Sequence, residues 1–423
     1  MKILIPSHCI AMTGEVQRVL LLAKQQGLHI DHIELGVSPT PYVHLVADTT
    51  LRLSSNLLLV NHLSSACKAE TDLCIDYVGA DCEGTSLLSS SGTASDTITA
   101  SNPITAPKTV TIGAPGCSGL EDHWWHGDEQ RRLINLTALT TQQKQQHLTW
   151  LVSLLALDFA LEDALVVSRA AVNVSRETWP LDYRYFPQPE PQAIYRDVSP
   201  FALLNQASLG LYPVVDDVRW IATLLPLGIK TIQLRIKDPL QADLEQQIIQ
   251  AIALGREHGA HVFINDYWQL ALKHGAFGVH LGQEDLLLAD LAAIAKAGIR
   301  LGLSTHGYFE LLRIHQLAPS YIALGHIFPT TTKQMPSKPQ GLVRLKLYQT
   351  LLNSLPYGDQ LGVPSVAIGG IDRSNAAQVL ECGVSSIAVV RAITQAQDVS
   401  QAVTQLQHLL DLAHQGEEVA DAQ

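Results

Sequence analysis

The sequence predicts an α/β protein of two domains, the second of them a (β/α)8 barrel. Three observations lead there. Short apolar runs, each the length of a buried strand, recur from Leu211 to Val390 and are separated by segments with helical spacing. Parallel neighbours need such crossovers, and a helix supplies one. The runs also end abruptly in polar or charged residues, most densely between Thr231 and Asp285, and no glycine-rich dinucleotide fingerprint follows the first of them. That last feature favours the barrel over an open doubly wound sheet.

Length and composition set the frame. The chain has 423 residues, more than one ordinary domain holds, and 47% are hydrophobic, enough for sizeable cores. There is no apolar run of about 18 residues to span a membrane. The segment Met1-Lys-Ile-Leu-Ile-Pro-Ser-His8 is too short an apolar run for a signal peptide. A net charge of −12 with scattered basic residues argues against nucleic acid as a partner. The six cysteines (Cys9, Cys67, Cys74, Cys82, Cys117 and Cys382) lack C-x-x-C spacing and read as reduced thiols of a cytoplasmic protein. Nothing in the residues fixes the oligomeric state, and a homo-oligomer is compatible with them.

From the start, strands and helices alternate to about residue 80. Lys2 to Pro6 reads as a strand, Glu15 to Gln26 as a helix closed by Gly27, and Leu57 to Val60 as a further strand. Residues 83–119 turn to Ser, Thr, Ala, Gly and Pro, which predicts an irregular insertion with interrupted strands such as Thr109–Ile112. The tryptophans of His123-Trp-Trp-His126 read as packing; the His pair, three apart, lacks a third ligand at fixed spacing. Leu148, Leu151, Leu154 and Leu155, then Leu161, Ala164, Leu165 and Ser168, predict two packed helices around Asp158. Three prolines within Pro187–Pro191 predict a linker. The expected organisation is a first domain over 1–186, a linker and lead-in helix (Val198 to Gln206) over 187–207, the barrel over 208–415, and a tail over 416–423.

The barrel strands are expected at Leu211–Val215, Thr231–Arg235, Val262–Asn265, Gly278–Leu281, Leu301–Ser304, Tyr321–Gly325, Ser365–Ile368 and Ser386–Val390, with a last helix over Val399–His414. Side chains alternate across a strand, so Arg235 and Lys237 share a side with Gln233. Asp266 follows the third strand and Asp285 the fourth, and carboxylates on neighbouring loops are a common way to hold magnesium with a phosphorylated substrate. Thr330-Thr-Thr-Lys333 after the sixth strand adds hydroxyls and a cation, and Gly369-Gly370 after the seventh exposes backbone amides suited to phosphate. Taken singly, each would be a solvated loop charge or a turn glycine. Together, at successive carboxyl ends, they describe a site for an anionic, metal-bound substrate. His280 and His306 lie in apolar surroundings, where a histidine is usually a satisfied core residue, and neither is given a catalytic role.

Two resemblances add to this reading. Gln233-Leu-Arg-Ile-Lys237, Phe263-Ile-Asn-Asp266, Gly278-Val-His-Leu-Gly-Gln-Glu-Asp285, Gly302-Leu-Ser-Thr-His306, Gly325-His-Ile-Phe-Pro-Thr-Thr-Thr-Lys333 and Ala367-Ile-Gly-Gly-Ile371 resemble thiamine phosphate synthases over about residues 208–412. The resemblance implies a transferase that joins hydroxymethylpyrimidine diphosphate to thiazole phosphate and releases pyrophosphate. It implies that Gln233, Arg235, Lys237, Asn265 and Lys333 hold the pyrimidine diphosphate and that Asp266 and Asp285 carry Mg2+. Ser304 would contact the pyrimidine side. Thr330, Thr332, Gly370 and the amides near Val390 and Arg391 would hold the thiazole phosphate. The family often has Ser where Arg391 stands. Alternatives are a thiazole tautomerase, which lacks the diphosphate and metal set, and a bifunctional kinase–synthase.

The second resemblance covers about 40 residues. Trp150 to Asn173 resembles late helices of hydroxymethylpyrimidine phosphate kinases, a ribokinase-like family. Their preceding Gly-Thr-Gly-Cys anion hole is replaced here by Ala138-Leu-Thr-Thr-Gln-Gln-Lys-Gln-Gln-His147, without glycine or cysteine. This implies a shortened, degenerate kinase-like domain. The expectation is that the full chain with ATP and the pyrimidine monophosphate consumes no ATP above background; magnesium-dependent diphosphate formation in that assay would show a working kinase.

Overall fold

The computed structural model describes residues 1–58, 71–79, 108–117, 119–191, 195, 198–330 and 338–421. The chain divides into two compact units, Met1–Pro180 with Tyr185–Glu190, and Leu181–Arg184 with Pro191–Gln423.

The first unit is built on a nine-stranded mixed sheet. Its strands are β1 (Lys2–Pro6), β2 (Glu34–Ser38), β3 (Val43–Val46), β4 (Thr50–Ser55), β5 (Leu73–Tyr77), β6 (Lys108–Gly116), β7 (Gly119–His126), β8 (Glu129–Leu136) and β9 (Gln188–Pro189). The order is β2-β1-β3-β4-β5-β6-β7-β8-β9, parallel at β1–β2, β4–β5 and β5–β6 and antiparallel elsewhere. Helices α1 (Ala11–Gln25), α2 (Thr141–Ala156) and α3 (Leu161–Ala171) complete it. Val16, Val19, Leu20 and Ala23 of α1 recur on one face and are buried. The polar run before α2 opens that helix with a capping box. Thr140 Oγ1 accepts from Gln143 N at 3.2 Å, and Gln143 Oε1 accepts from Thr140 N at 3.0 Å. Gln143 therefore has a structural task at the start of α2.

One ion pair dominates the electrostatics of this unit. Asp122 on β7 is fully buried, and Arg169 on α3 donates to its two oxygens from Nε at 2.6 Å and from the terminal guanidinium at 2.5 Å. The Gly113 amide adds a third bond to Asp122 at 2.8 Å. Beside the pair, His147 shares a 2.8 Å bond with the Tyr77 hydroxyl. Burial, with the Arg169 charge nearby, holds the His147 imidazole well below its usual pKa.

The second unit is a closed barrel of eight parallel strands. In chain order it runs β10 (Leu211–Val215), α4 (Val218–Leu224), β11 (Thr231–Leu234), α5 (Leu244–His258), β12 (His261–Asn265), α6 (Trp268–His274), β13 (Gly278–Leu281), α7 (Gln283–Leu286), α8 (Leu291–Lys296), β14 (Arg300–Thr305), α9 (Tyr308–His315), β15 (Tyr321–Gly325) and α10 (Gly341–Ser354). A small hairpin of β16 (Pro356–Tyr357) and β17 (Gln360–Leu361) precedes β18 (Ser365–Ile368), α11 (Ala376–Leu380), β19 (Ser386–Val389), α12 (Arg391–Thr394) and α13 (Val399–Asp421). Pairing of β10 with β19 closes the circle, with Leu211 opposite Ile387 and Pro213 opposite Val389. Tyr212, Val214, Phe263, Tyr321, Ala323, Val366 and Ala388 fill the interior, so the barrel is a packed core rather than a pore.

All eight barrel strands lie within a residue of the predicted spans. The differences fall elsewhere. Val198 to Gln206 is not the predicted helix; only a 3-10 turn at Gln206–Ser208 forms. Of the predicted strand Leu57–Val60, Leu57 and Leu58 lie in a turn after β4, and residues 59–60 lie outside the described residues. Among the described residues to Tyr77, α1 is the only α-helix, and residues 59–70 between β4 and β5 lie outside them. Of the predicted irregular insertion, residues 108–116 and 119 are strand, while 83–107 and 118 lie outside the described residues. The proline-rich linker contributes β9, antiparallel to β8; proline is tolerated because this strand is the sheet edge. Residues 416–421 continue α13 instead of forming a tail. His123 and His126 lie on a strand, where three-residue spacing points to opposite faces, and the same alternation buries Trp124 and leaves Trp125 exposed. Cys9, Cys74, Cys117 and Cys382 are free thiols.

Burial makes the barrel acid-sensitive at one identifiable place. His315, at the end of α9, has its pKa lowered to about 4 by desolvation. The folded state binds fewer protons than the unfolded state between that value and about 6.5. Its contribution is thus complete above about pH 6.5 and fades as pH falls toward 4, by on the order of 1 kcal/mol per pH unit. Urea denaturation of wild type and His315→Gln should show the variant losing less stability across that window.

Candidate active site

The carboxyl ends of the barrel strands share one rim, and ten of the predicted site residues lie on it at β11, β12, β13, β14 and β18–β19. Gln233 is buried at 5% exposure near the end of β11. Arg235 follows it, half-buried, with its amide donating to Val215 O at 2.6 Å, and Lys237 is exposed. The strand therefore raises one amide and two cations toward the rim in successive layers.

On the neighbouring strand, Asn265 ends β12 and Asp266 turns the chain outward in a left-handed conformation, φ 65°. The Asp266 amide donates to His280 O at 3.0 Å, and Asn265 Nδ2 donates to Asp266 Oδ2. These bonds fix the carboxylate between β12 and β13. Asp285 sits on the short α7 after β13, and a Cβ on Gly282 would come within 3.1 Å of its Oδ2. Gln283 ties that turn to the next strand: its Nε2 donates to Ser304 O at 2.7 Å, and its Oε1 accepts from Arg313 at 2.7 Å.

Beneath the rim runs a buried hydrogen-bond chain that sequence reasoning missed. Gln233 Nε2 donates to the Tyr212 hydroxyl at 3.3 Å, and the Tyr212 and Tyr321 hydroxyls share a bond of 2.8 Å. Tyr321 Oη then meets His280 Nδ1 at 2.7 Å, and His280 Nε2 meets Ser304 Oγ at 2.8 Å. His280 is a satisfied buried residue, as expected, but its partner is a predicted site residue. Burial raises the Tyr212 and Tyr321 hydroxyls above the usual tyrosine pKa, so both stay neutral and can donate. The sequence signal was present: Tyr212, Gln233, His280 and Ser304 are polar residues on the inward side of apolar strands.

The other side of the rim is made of backbone. Gly369 and Gly370 follow β18 with φ 105° and 67°. A Cβ on Gly369 would lie 2.4 Å from His326 Cβ, and one on Gly370 would lie 2.7 Å from Pro329 O. Both conformation and close approach to the loop after β15 demand glycine. Val390 precedes α12 and Arg391, exposed, begins it. Thr330 is half-buried at the end of the described loop, and Thr332 and Lys333 lie outside the described residues. No group of three or more His, Cys, Asp or Glu side chains placed to hold a metal occurs among the described residues. The protein donors at hand are the two carboxylates, and hard cations such as magnesium complete such sets with water and substrate oxygens.

Comparisons place this site in a known context. A family model described as thiamine monophosphate synthase matches residues 211–393. The thiamine-phosphate synthase of Serratia proteamaculans (strain 568) is 59% identical over 203 residues, covering 48% of this chain and 92% of the relative. That of Yersinia pestis (strain Pestoides F) is 57% identical over 217 residues, 51% of this chain and 95% of the relative. A solved thiamine phosphate pyrophosphorylase from Pyrococcus furiosus is 30% identical, with a TM-score of 0.43 over 49% of this chain and 98% of that one.

Tyr321 is the junction of the buried chain and is fully buried. Tyr321→Phe should leave Tyr212 and His280 short of a partner and cost about 1–3 kcal/mol, read as a lower urea midpoint at unchanged slope.

Proposed function

Because this chain belongs to the thiamine-phosphate synthase family, we propose that its barrel joins hydroxymethylpyrimidine diphosphate to thiazole phosphate, releasing pyrophosphate and thiamine phosphate. The observation that carries the reading is the rim itself, where Gln233, Arg235, Asn265, Asp266, Asp285 and Ser304 sit at successive strand ends. The chain is an enzyme of the transferase class. No helix among the described residues is long and apolar enough to cross a membrane.

In this reading Arg235, Lys237 and Lys333 take the diphosphate and stabilise the charge that builds as its C–O bond to the pyrimidine methylene breaks. Asn265 holds the same group while orienting Asp266. Magnesium bound at Asp266 and Asp285 would supply further neutralisation of the leaving group. Ser304, fixed through His280 to the tyrosine pair, positions the pyrimidine, and Gln233 closes the chain from the other side. Thr330, Thr332, Gly370 and the amides near Val390 and Arg391 hold the thiazole phosphate, so that the thiazole nitrogen faces the methylene carbon. If the backbone amide is the ligand at Arg391, the side chain there is free to add a cation to the phosphate site. For the first unit, the resemblance of Trp150 to Asn173 supports a domain kept for packing, with the capping box of α2 in place of an anion hole.

Pyrophosphate release with both substrates is the direct test. Asp266→Ala and Asp285→Ala should each remove most turnover at saturating magnesium with the fold intact; turnover within about threefold of wild type, less than 1 kcal/mol, excludes the metal site. Arg235→Ala should raise KM for the diphosphate substrate, and Thr332→Val should raise it for the thiazole phosphate. Equal effects on both substrates would refute this division of the rim.

A further inference from the structure

Beyond the residues assigned above, the rim holds an imidazole–carboxylate pair for which the binding roles leave no place. Ser304 faces the barrel interior, and His306, two residues on, continues that row to the mouth beyond the end of β14. Glu310 on α9 accepts from His306 twice at the same oxygen: from the backbone amide at 2.8 Å and at 2.9 Å from Nδ1. The amide bond alone would tie the end of β14 to the first turn of α9. The ring bond goes further, because it orients the imidazole and leaves Nε2 as its outward nitrogen. Burial by itself would raise the Glu310 carboxyl, but the bonds from His306, with Arg313 nearby, hold it below its usual pKa and keep it charged. Gln340 Nε2 donates to His306 O at 3.1 Å and to Gly325 O at 2.7 Å, fixing the backbone here to the end of β15.

The other imidazoles nearby are committed differently. Both ring nitrogens of His280 are bonded within the interior chain. His326, at 6% exposure, has its pKa lowered by burial first and by the neighbouring His306 second.

On the synthase reading, we infer that His306 is the general acid that protonates the departing pyrophosphate, with Glu310 holding its ring in place. The chemistry calls for such a group, since free pyrophosphate is a stronger base than the diphosphate ester from which it leaves. The pyrimidine methylene C–O bond breaks with its electron pair passing to the pyrophosphate oxygen. His306 Nε2 gives that oxygen its proton. The thiazole nitrogen forms the new C–N bond, hydrogen pyrophosphate departs, and solvent returns the proton to His306. Among the described residues, the groups facing the ring that can carry charge are Glu310, with Arg313 behind it, from α9, and His326, whose pKa is lowered, from the end of β15; Gln340 is neutral.

His306→Gln and Glu310→Gln in the full chain test this, because a Gln at position 310 can still accept the bond from the His306 amide. The expected result for His306→Gln is a fall in kcat of about a hundredfold, with both KM values and the thermal midpoint unchanged. Wild-type kcat should fall as pH rises through deprotonation of His306, and this limb should vanish in His306→Gln. In Glu310→Gln, where the ring has lost the carboxylate that orients it, kcat should fall with both KM values unchanged. Imidazole added to His306→Ala should restore part of the lost rate. A His306→Gln enzyme within threefold of wild type, or one that keeps the alkaline limb, overturns the assignment. So does a Glu310→Gln enzyme whose kcat equals that of wild type. Wild-type protein that releases no pyrophosphate from the two substrates overturns the synthase reading itself, a failure separable from that of His306.

Discussion

Closure of the parallel sheet between β10 and β19 is the constraint on which the second unit depends. Once the strands form a circle, their inward side chains must fill a space of fixed size, and each residue there answers to its neighbours across the barrel. Gly302 and Gly278 show how tightly. A Cβ on Gly302 would lie 2.2 Å from the Tyr321 ring, and one on Gly278 would lie 2.2 Å from the Phe263 ring. The absent side chains make room for two aromatics, and the hydroxyl of one of them joins Tyr212 to His280. Packing and polar organisation are thus one arrangement, since Tyr321 reaches both partners only if Gly302 lets its ring lie flat against β14.

The same closure carries the rim. Parallel strands end on one side, so residues separated by up to 160 positions in sequence come to a common edge. The buried chain below that edge is fully satisfied from Gln233 to Ser304, which keeps its cost low in an apolar interior. Above it, flexible cations and carboxylates stand in a more hydrated layer. A rigid floor under an adaptable rim suits a reaction whose difficulty lies in holding two phosphorylated substrates while charge moves between them.

Net charge gives no hint of this. The chain carries −12 overall, yet the rim gathers Arg235 and Lys237 on a single strand end. Local potential decides which ligand a cleft accepts, and the global balance bears on solubility and non-specific association. The first unit makes the complementary point. Its Asp122–Arg169 pair sits in a core where an unpaired charge would be costly, and the bidentate geometry with the Gly113 amide satisfies it. No motif in the sequence marks residues 122 and 169 as partners.

The sequence by itself determined the barrel, the position of its strands and the residues at their polar ends, because strand and helix periods are written locally in the spacing of apolar residues. It failed where the outcome hung on distant partners. The proline-rich Phe186–Pro191 reads as linker until an exposed edge of β8 is available to pair with it. Val198 to Gln206 has helical spacing, but the Phe201 amide is taken by Ala318 O and the Leu204 amide by the Tyr357 hydroxyl, so that stretch spends its bonds on the barrel. His306 reads as one more apolar-context histidine until α9 brings Glu310 against it, and His280 until Tyr321 and Ser304 reach its two nitrogens. Periodicity records which face a residue occupies. Which groups meet across that face is set by closure of the barrel, through bonds between residues that no local pattern connects.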